Sequence, residues 1–322
     1  MTSVKVTLPP DRATLQLNAQ GRSDVALRQI LLGELDIMEL NEACLRQQYD
    51  VECLHDFRVA VRRSRIILSR IADVFPAADV RRFTARLCEL SEMTGPCRDL
   101  DVMLHHWQEY TIEIDAGYQL VYDYLHQQSN KARSEVMTTL SGQQHVEFKD
   151  NWRDYLSRQP AVTRMQNAKS PLSLLASMTL KRVITKFIKR LGNIRHSSSD
   201  AKLHKLRIIS KRLRYLLDYF LFTDSGPAYA VLIPELKKLQ EVLGVNQDLC
   251  VQKSMIAAIR NQMTEAGLMS VDVHHALQDI KKSLTKRAAK QRVQVFKVIK
   301  RFLRSDVLPG VRQVDRGSSI TG

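Results

Sequence analysis

Residues 55–65 read HDFRVAVRRSR, and within this run His55, Arg58, Arg62 and Arg65 stand three, four and three residues apart. That is the spacing of one face of an α-helix, which ordinarily carries the apolar stripe of an amphipathic segment. Here the stripe is cationic and begins with a histidine. At about 100° per residue the four side chains fall within an arc of roughly 80°. Phe57, Ala60, Val61, Ser64, Ile67, Leu68 and Ile71 occupy the opposite side. The run therefore predicts one helix with a core face and a dense basic face.

The device occurs twice. Residues 204–214, HKLRIISKRLR, place His204, Arg207, Lys211 and Arg214 at the same spacing, 149 residues further on. The register then holds without a gap. Leu87, Leu90 and Glu92 match Leu236, Leu239 and Glu241, Gly95 matches Gly244, and Asp99-Leu100 matches Asp248-Leu249. Such a match marks a tandem internal duplication, each half carrying one histidine–arginine face.

Composition agrees with helices and with a polyanionic partner. Among 322 residues there are only 12 glycines and 9 prolines, and aromatics make up 6%. Leu, Ala, Arg, Lys, Glu and Gln fill the long segments, and all are good helix formers. The formal net charge of +15 suits nucleic acid, polyphosphate or an anionic surface. Five cysteines, Cys44, Cys53, Cys88, Cys97 and Cys250, form no C-x-x-C pair and read as reduced thiols in a cytosolic chain. The opening MTSVKVTLPPDR lacks the apolar run of a signal peptide. No stretch approaches the roughly 18 apolar residues of a membrane span. A soluble, cytoplasmic protein without a membrane partner is expected.

Taken in order, residues 1–21 alternate weakly around Pro9-Pro10 and read as an extended arm or short strand. Ser23-Asp24 caps a helix over 25–48, the basic helix covers 52–74, and a third covers 79–94, ending at Gly95 before Pro96. Helical patterning resumes over 97–129 and 130–158, lapses over a linker at 159–170, and returns at 172–191, 201–222, 228–243, 246–266 and 271–304. Residues 305–322 read as a disordered polar tail. The chain divides into a first helical bundle, 22–158, and a second, 171–304, each of about four antiparallel helices. It is all-α, with no β-α-β alternation.

The chemistry lies in the two stripes. A plain solvated face would intersperse acids for ion pairing at helical spacing. The eight stripe residues include no acid, and both copies start with histidine. Stacked like charges are best tolerated when an anion neutralises them. Arginine forks suit phosphate oxygens, lysine adds a point charge, and histidine donates when neutral and adds charge when protonated. The candidate binding residues are therefore His55, Arg58, Arg62 and Arg65 with His204, Arg207, Lys211 and Arg214; Arg63 and Arg212 sit further round their helices. Arg182, Lys186 and Lys189, and a second stripe of Lys282, Lys286, Lys290, Lys297, Arg301 and Arg304, either extend the track or serve as ordinary surface charge.

Other chemistries find less support. Arg98-Asp-Leu-Asp101 resembles a D-x-D metal motif, but the second copy reads Gln247-Asp248-Leu-Cys250 and keeps only the first acid. A helix start, with Asp99 and Asp248 paired to an arginine or a backbone amide, is the expected role. The adjacent pairs His105-His106 and His274-His275 cannot both aim at one metal from a helix. No zinc spacing, glycine-rich phosphate loop or nucleophile elbow is present. No metal, cofactor or catalytic residue is expected.

These motifs resemble a known family. His55-Asp-Phe-Arg58-Val-Ala-Val-Arg62-Arg63-Ser-Arg65 and Arg98-Asp99-Leu-Asp101-Val, followed by His204-Lys-Leu-Arg207, Lys211-Arg212-Leu-Arg214-Tyr215 and Leu239-Gln-Glu-Val-Leu-Gly244, are similar to the motifs of CHAD domains, the conserved histidine α-helical domains. The resemblance spans about residues 22–304. Ser64 stands where the family usually has leucine, and Gln247 leaves the second copy one charge short. The resemblance implies two four-helix bundles with pseudo-twofold symmetry around a basic central groove. It also implies binding of inorganic polyphosphate, often at polyphosphate granules, without cleavage. The CYTH domain that some relatives carry is not expected here. A nucleic-acid-binding protein is the first alternative, and a phosphohydrolase acting on phosphate chains the second.

Overall fold

The computed structural model describes residues 3–8, 13–71, 73–110, 115–158, 165–223 and 226–305. All of the expected tail at 305–322 but Ser305, and residues 159–164 of the expected linker at 159–170, lie outside them. Strands β1 (Ser3–Leu8) and β2 (Ala13–Asn18) pair antiparallel, from Ser3 opposite Asn18 to Leu8 opposite Ala13. The arm expected to be extended or a short strand is a two-stranded hairpin. Its period of two suits a strand pair, and Leu17 of β2 is fully buried in the helical core.

Helix α1 (Ser23–Gln47) follows, with Arg22 rather than Ser23 at its N-cap. Ser23 instead donates its amide and hydroxyl to the Ser170 carbonyl (3.0 and 2.8 Å), and the Asp24 amide donates to the Ala168 carbonyl at 3.0 Å. The start of α1 is thereby tied to residues 168–171, just before α6. Helix α2 (Val51–Arg70) begins at Asp50, whose carboxylate accepts from the Glu52 amide at 2.7 Å. The chain then builds α3 (Ala77–His105), a short 3-10 turn (Trp107–Glu109), α4 (Ala116–Ser141) and α5 (Gln143–Ser157). The second half supplies α6 (Leu172–Gly192), α7 (Asp200–Phe220), the single turn α8 (Gly226–Ala230), α9 (Leu232–Glu265) and α10 (Val271–Arg304).

Two expected breaks are absent. Helix α3 passes through Gly95-Pro96, and α9 passes through Gly244. The reason is a change of packing partner along each helix. Phe83, Leu87, Leu90 and Cys97 of α3 lie in one core with residues of α1, α2, α6 and α7, whereas Leu100 and Met103 lie in a second core with α4 and α10. Helix α9 does the same, with Leu236, Leu239 and Leu243 in the first core and Leu249, Ile256 and Ile259 in the second. An apolar stripe that changes sides halfway looks like two short helices in the sequence. Packing at both ends holds α3 together despite the amide that Pro96 lacks. Conversely, the helix expected over 130–158 breaks at Gly142, between α4 and α5.

Two cysteines differ from expectation. The turn between α1 and α2 brings Cys44 and Cys53 to a Cα separation of 6.3 Å, and they form a disulfide. Cys88, Cys97 and Cys250 are free thiols. Among the described residues no helix is long and apolar enough to cross a membrane.

Candidate functional site

Helices α2 and α7 bury one side in the large core through Leu54, Phe57, Ala60 and Val61, and through Leu203, Leu206, Ile209 and Leu213. Their basic stripes are therefore held against the middle of α3 and α9, where those helices change cores. Arg58 Nη1 donates to the Ser91 carbonyl (2.9 Å) and to Thr94 Oγ1 (2.5 Å), and Arg65 Nη1 to Ser91 Oγ (3.1 Å). Arg98 on α3 reaches back to the Val51 carbonyl in the first turn of α2 at 3.2 Å.

The two stripes meet. Arg62 and Lys211, which correspond at the 149-residue offset, lie within electrostatic reach of each other, and Lys211 also bears on His55. Arg207 feels Arg62 together with Asp99 and Asp248, and Asp248 in turn bears on Asp99. Side chains from α2, α3, α7 and α9 thus form one cluster in which cations outnumber the two carboxylates.

The cluster is partly buried, and burial penalises charge. It pushes Lys211 down to about 7, with Arg207 and Arg62 adding repulsion and Asp248 opposing it. His55 is pushed down to about 4 by burial and then by Arg98, Lys211, Arg62 and Arg58, so it is neutral at pH 7. Arg58 falls to about 10, again chiefly by burial. The carboxyls of Asp99 and Asp248 are both raised, because burial outweighs the arginines beside them. The site holds more positive charge than its own acids or solvent comfortably balance.

The two halves of the cluster differ. In the first, the residue over the histidine is Arg98, which repels a proton from His55. In the second it is Gln247, whose Oε1 accepts from His204 Nδ1 at 2.6 Å.

The remaining candidates lie elsewhere. Arg63 is 2% exposed, between Glu34 (3.6 Å) and Asp218 (3.4 Å), with its guanidinium carbon 5.0 Å from the Tyr215 ring centre. Arg214 leans towards Asp218 at 4.0 Å while still bearing on Lys211, so it stands at the edge of the cluster. Arg212 is pushed down to about 10 by burial and by Arg70 and Arg190, so it belongs to a separate patch. Arg182 joins that patch by donating to the Arg70 carbonyl. Lys186 and Lys189 are exposed on α6, and Lys290, Lys297 and Arg304 on α10, while Arg301 lies 3.9 Å from Glu235. Lys282 and Lys286 line a groove of about 1030 Å³ between α9 and α10, distinct from the cluster.

Sequence reasoning left out Arg98, Gln247, Asp99 and Asp248 as site residues. The aspartates were expected at helix starts; they stand in mid-helix, within the cluster. The signal was present in the register that matches 98–99 with 247–248.

A family model described as the CHAD domain matches residues 29–257. The crystal structure of the CHAD domain from the plant Ricinus communis is similar at 22% identity and a TM-score of 0.71, over 89% of this chain and 94% of that one. PptA from Streptomyces chartreusis is similar at 14% identity and a TM-score of 0.67, over 87% and 99%. No match is found among curated proteins.

Proposed function

Because this chain belongs to the CHAD domain family, we propose that it binds inorganic polyphosphate without cleaving it, and that this binding recruits it to polyphosphate granules. The observation that carries this reading is the meeting of Arg62 with Lys211 from two helices distant in sequence. A phosphate chain laid between α2 and α7 would satisfy Arg58, Arg62, Arg98, Arg207 and Lys211 together, with His55 and His204 flanking them. In this reading the two halves are related by a pseudo-twofold axis through the cluster. Arg63 lies outside the ligand set, since it already neutralises buried acids.

Two rivals fit less well. Single-strand binders stack bases on exposed aromatic rings, and Tyr215, packed against Arg63, is only 4% exposed. A catalytic histidine is normally oriented by an acidic partner. His204 is held by an amide, and the neighbours that shift His55 are cations.

Calorimetric titration with long-chain polyphosphate, using DNA and RNA of matched charge as competitors, tests the proposal. Polyphosphate binding that survives the competitors, weakens steeply with salt and releases no phosphate is the expected result. Equal affinity for all three polymers would show that only net charge is read.

Binding should also take up protons. Lys211 in the free protein titrates at about 7, and a bound polyanion favours its charged form, raising that value. Affinity is then full below the free value and declines as pH rises through it towards the bound one. Titration at pH 7.5 in buffers of different ionisation enthalpy should show net uptake, lost in Lys211→Met. No uptake in the parent protein would remove Lys211 from the contact set.

A further inference from the structure

A cleft of about 520 Å³ opens from the cationic cluster between α3, α4 and α9. Asp99 and Gln247 belong to both, so the two spaces adjoin. Beyond them the cleft changes character. Pro96 and Leu100 form one wall and Val251, Met255 and Ile259 another, with Gln128 and Gln262, the latter accepting from the Tyr124 hydroxyl at 3.3 Å, also lining it. A bare phosphate chain has little use for such a space, since its oxygens would meet carbon and a carboxylate. The volume lies in the range of small-molecule pockets, and apolar walls with a few amides are their usual lining.

We propose that the site also takes nucleoside polyphosphates, with the phosphates on the cations, the ribose at Asp99 and the base in the cleft. A carboxylate repels phosphate but accepts hydrogen bonds from sugar hydroxyls, which makes Asp99 suited to the junction between the two parts. Gln247 spends its oxygen on His204, which leaves its amide hydrogens as the donors it has for a ligand. The base displaces water from the apolar walls, and the glutamine amides offer both donors and acceptors to its edge. The inference rests on the polyphosphate reading of the cationic cluster.

The test compares ligands by calorimetry on the full chain. ATP and inorganic tripolyphosphate carry the same number of phosphates, and ATP has the lower charge. On charge alone ATP binds more weakly; with the base in the cleft it binds about tenfold more tightly. Ala258 lines the cleft and is exposed on α9, so Ala258→Trp fills the space with little demand on the core. It should bring ATP down to tripolyphosphate or below while leaving long-chain polyphosphate unchanged. ATP no tighter than tripolyphosphate, or a variant that weakens both alike, overturns the inference. Geranyl diphosphate binding more tightly than ADP would assign the cleft to a plain apolar group and also overturn it. If neither inorganic chain binds the folded protein, it is the polyphosphate reading that fails.

Discussion

Arg62→Ala combined with Lys211→Ala should weaken long-chain polyphosphate binding by about a thousandfold. A hydrogen bond to a charged group contributes roughly 1.5–3 kcal/mol, so losing two removes about 4 kcal/mol, or close to three decades in Kd. The dependence of log K on log salt should flatten as well, since fewer counterions are displaced. The same substitutions should leave the free protein as stable as before or more so, because they remove repelling charges from a partly buried cluster. Their Tm is therefore the control: a loss of affinity at undiminished Tm is a loss of contacts, not of structure. Unchanged affinity in the folded double variant would refute the site. Cationic faces that cost stability until a ligand arrives are the usual trade between stability and function.

Arg63→Ala should do the opposite, sparing the ligand contacts and weakening the fold. Its guanidinium lies between Glu34, which is fully buried, and Asp218. Glu34 also accepts from the Tyr219 hydroxyl, and burial raises its carboxyl to about 7 in spite of Arg63. Removing one partner of a buried pair costs about 3–5 kcal/mol, because the other is left uncompensated. In a chain of this size that lowers Tm by roughly 6 °C. Glu34→Gln added to Arg63→Ala should recover part of the loss, since it removes the stranded carboxylate. Thermal unfolding followed by circular dichroism reads all three proteins. A parent-like Tm with weakened polyphosphate binding would place Arg63 among the ligand contacts instead.

What the sequence discloses here follows from how far each signal reaches. The stripes are legible because helical period is local: four positions within eleven residues suffice to put His55, Arg58, Arg62 and Arg65 on one face. The repeat is legible because identical residue types recur at one offset. The course of α3 and α9 is not, since their apolar residues change sides between Cys97 and Leu100 and between Leu243 and Leu249, and only the packing on either side shows why the helices continue. Arg63 shows the same limit. Its position on α2 is as basic as that of Arg62, one residue earlier. Only the arrival of Glu34 from α1 and Asp218 from α7 makes it an interior ion-pair residue. The Cys44–Cys53 disulfide is hidden likewise, because the turn that joins the two thiols is set by how α2 packs back on α1.

An unsubstituted phosphate chain reads the same from either end, but the protein around it does not. At one end of the cluster Arg98 stands over a neutral His55; at the other, Gln247 holds His204. Any sense of direction in the complex must therefore come from the protein. Two opposite threadings of a symmetrical polymer place the same atoms in the same groove, so direction goes unread. A chain with one distinguishable terminus breaks that equivalence, and a difference of one side chain between the halves becomes a means of telling head from tail.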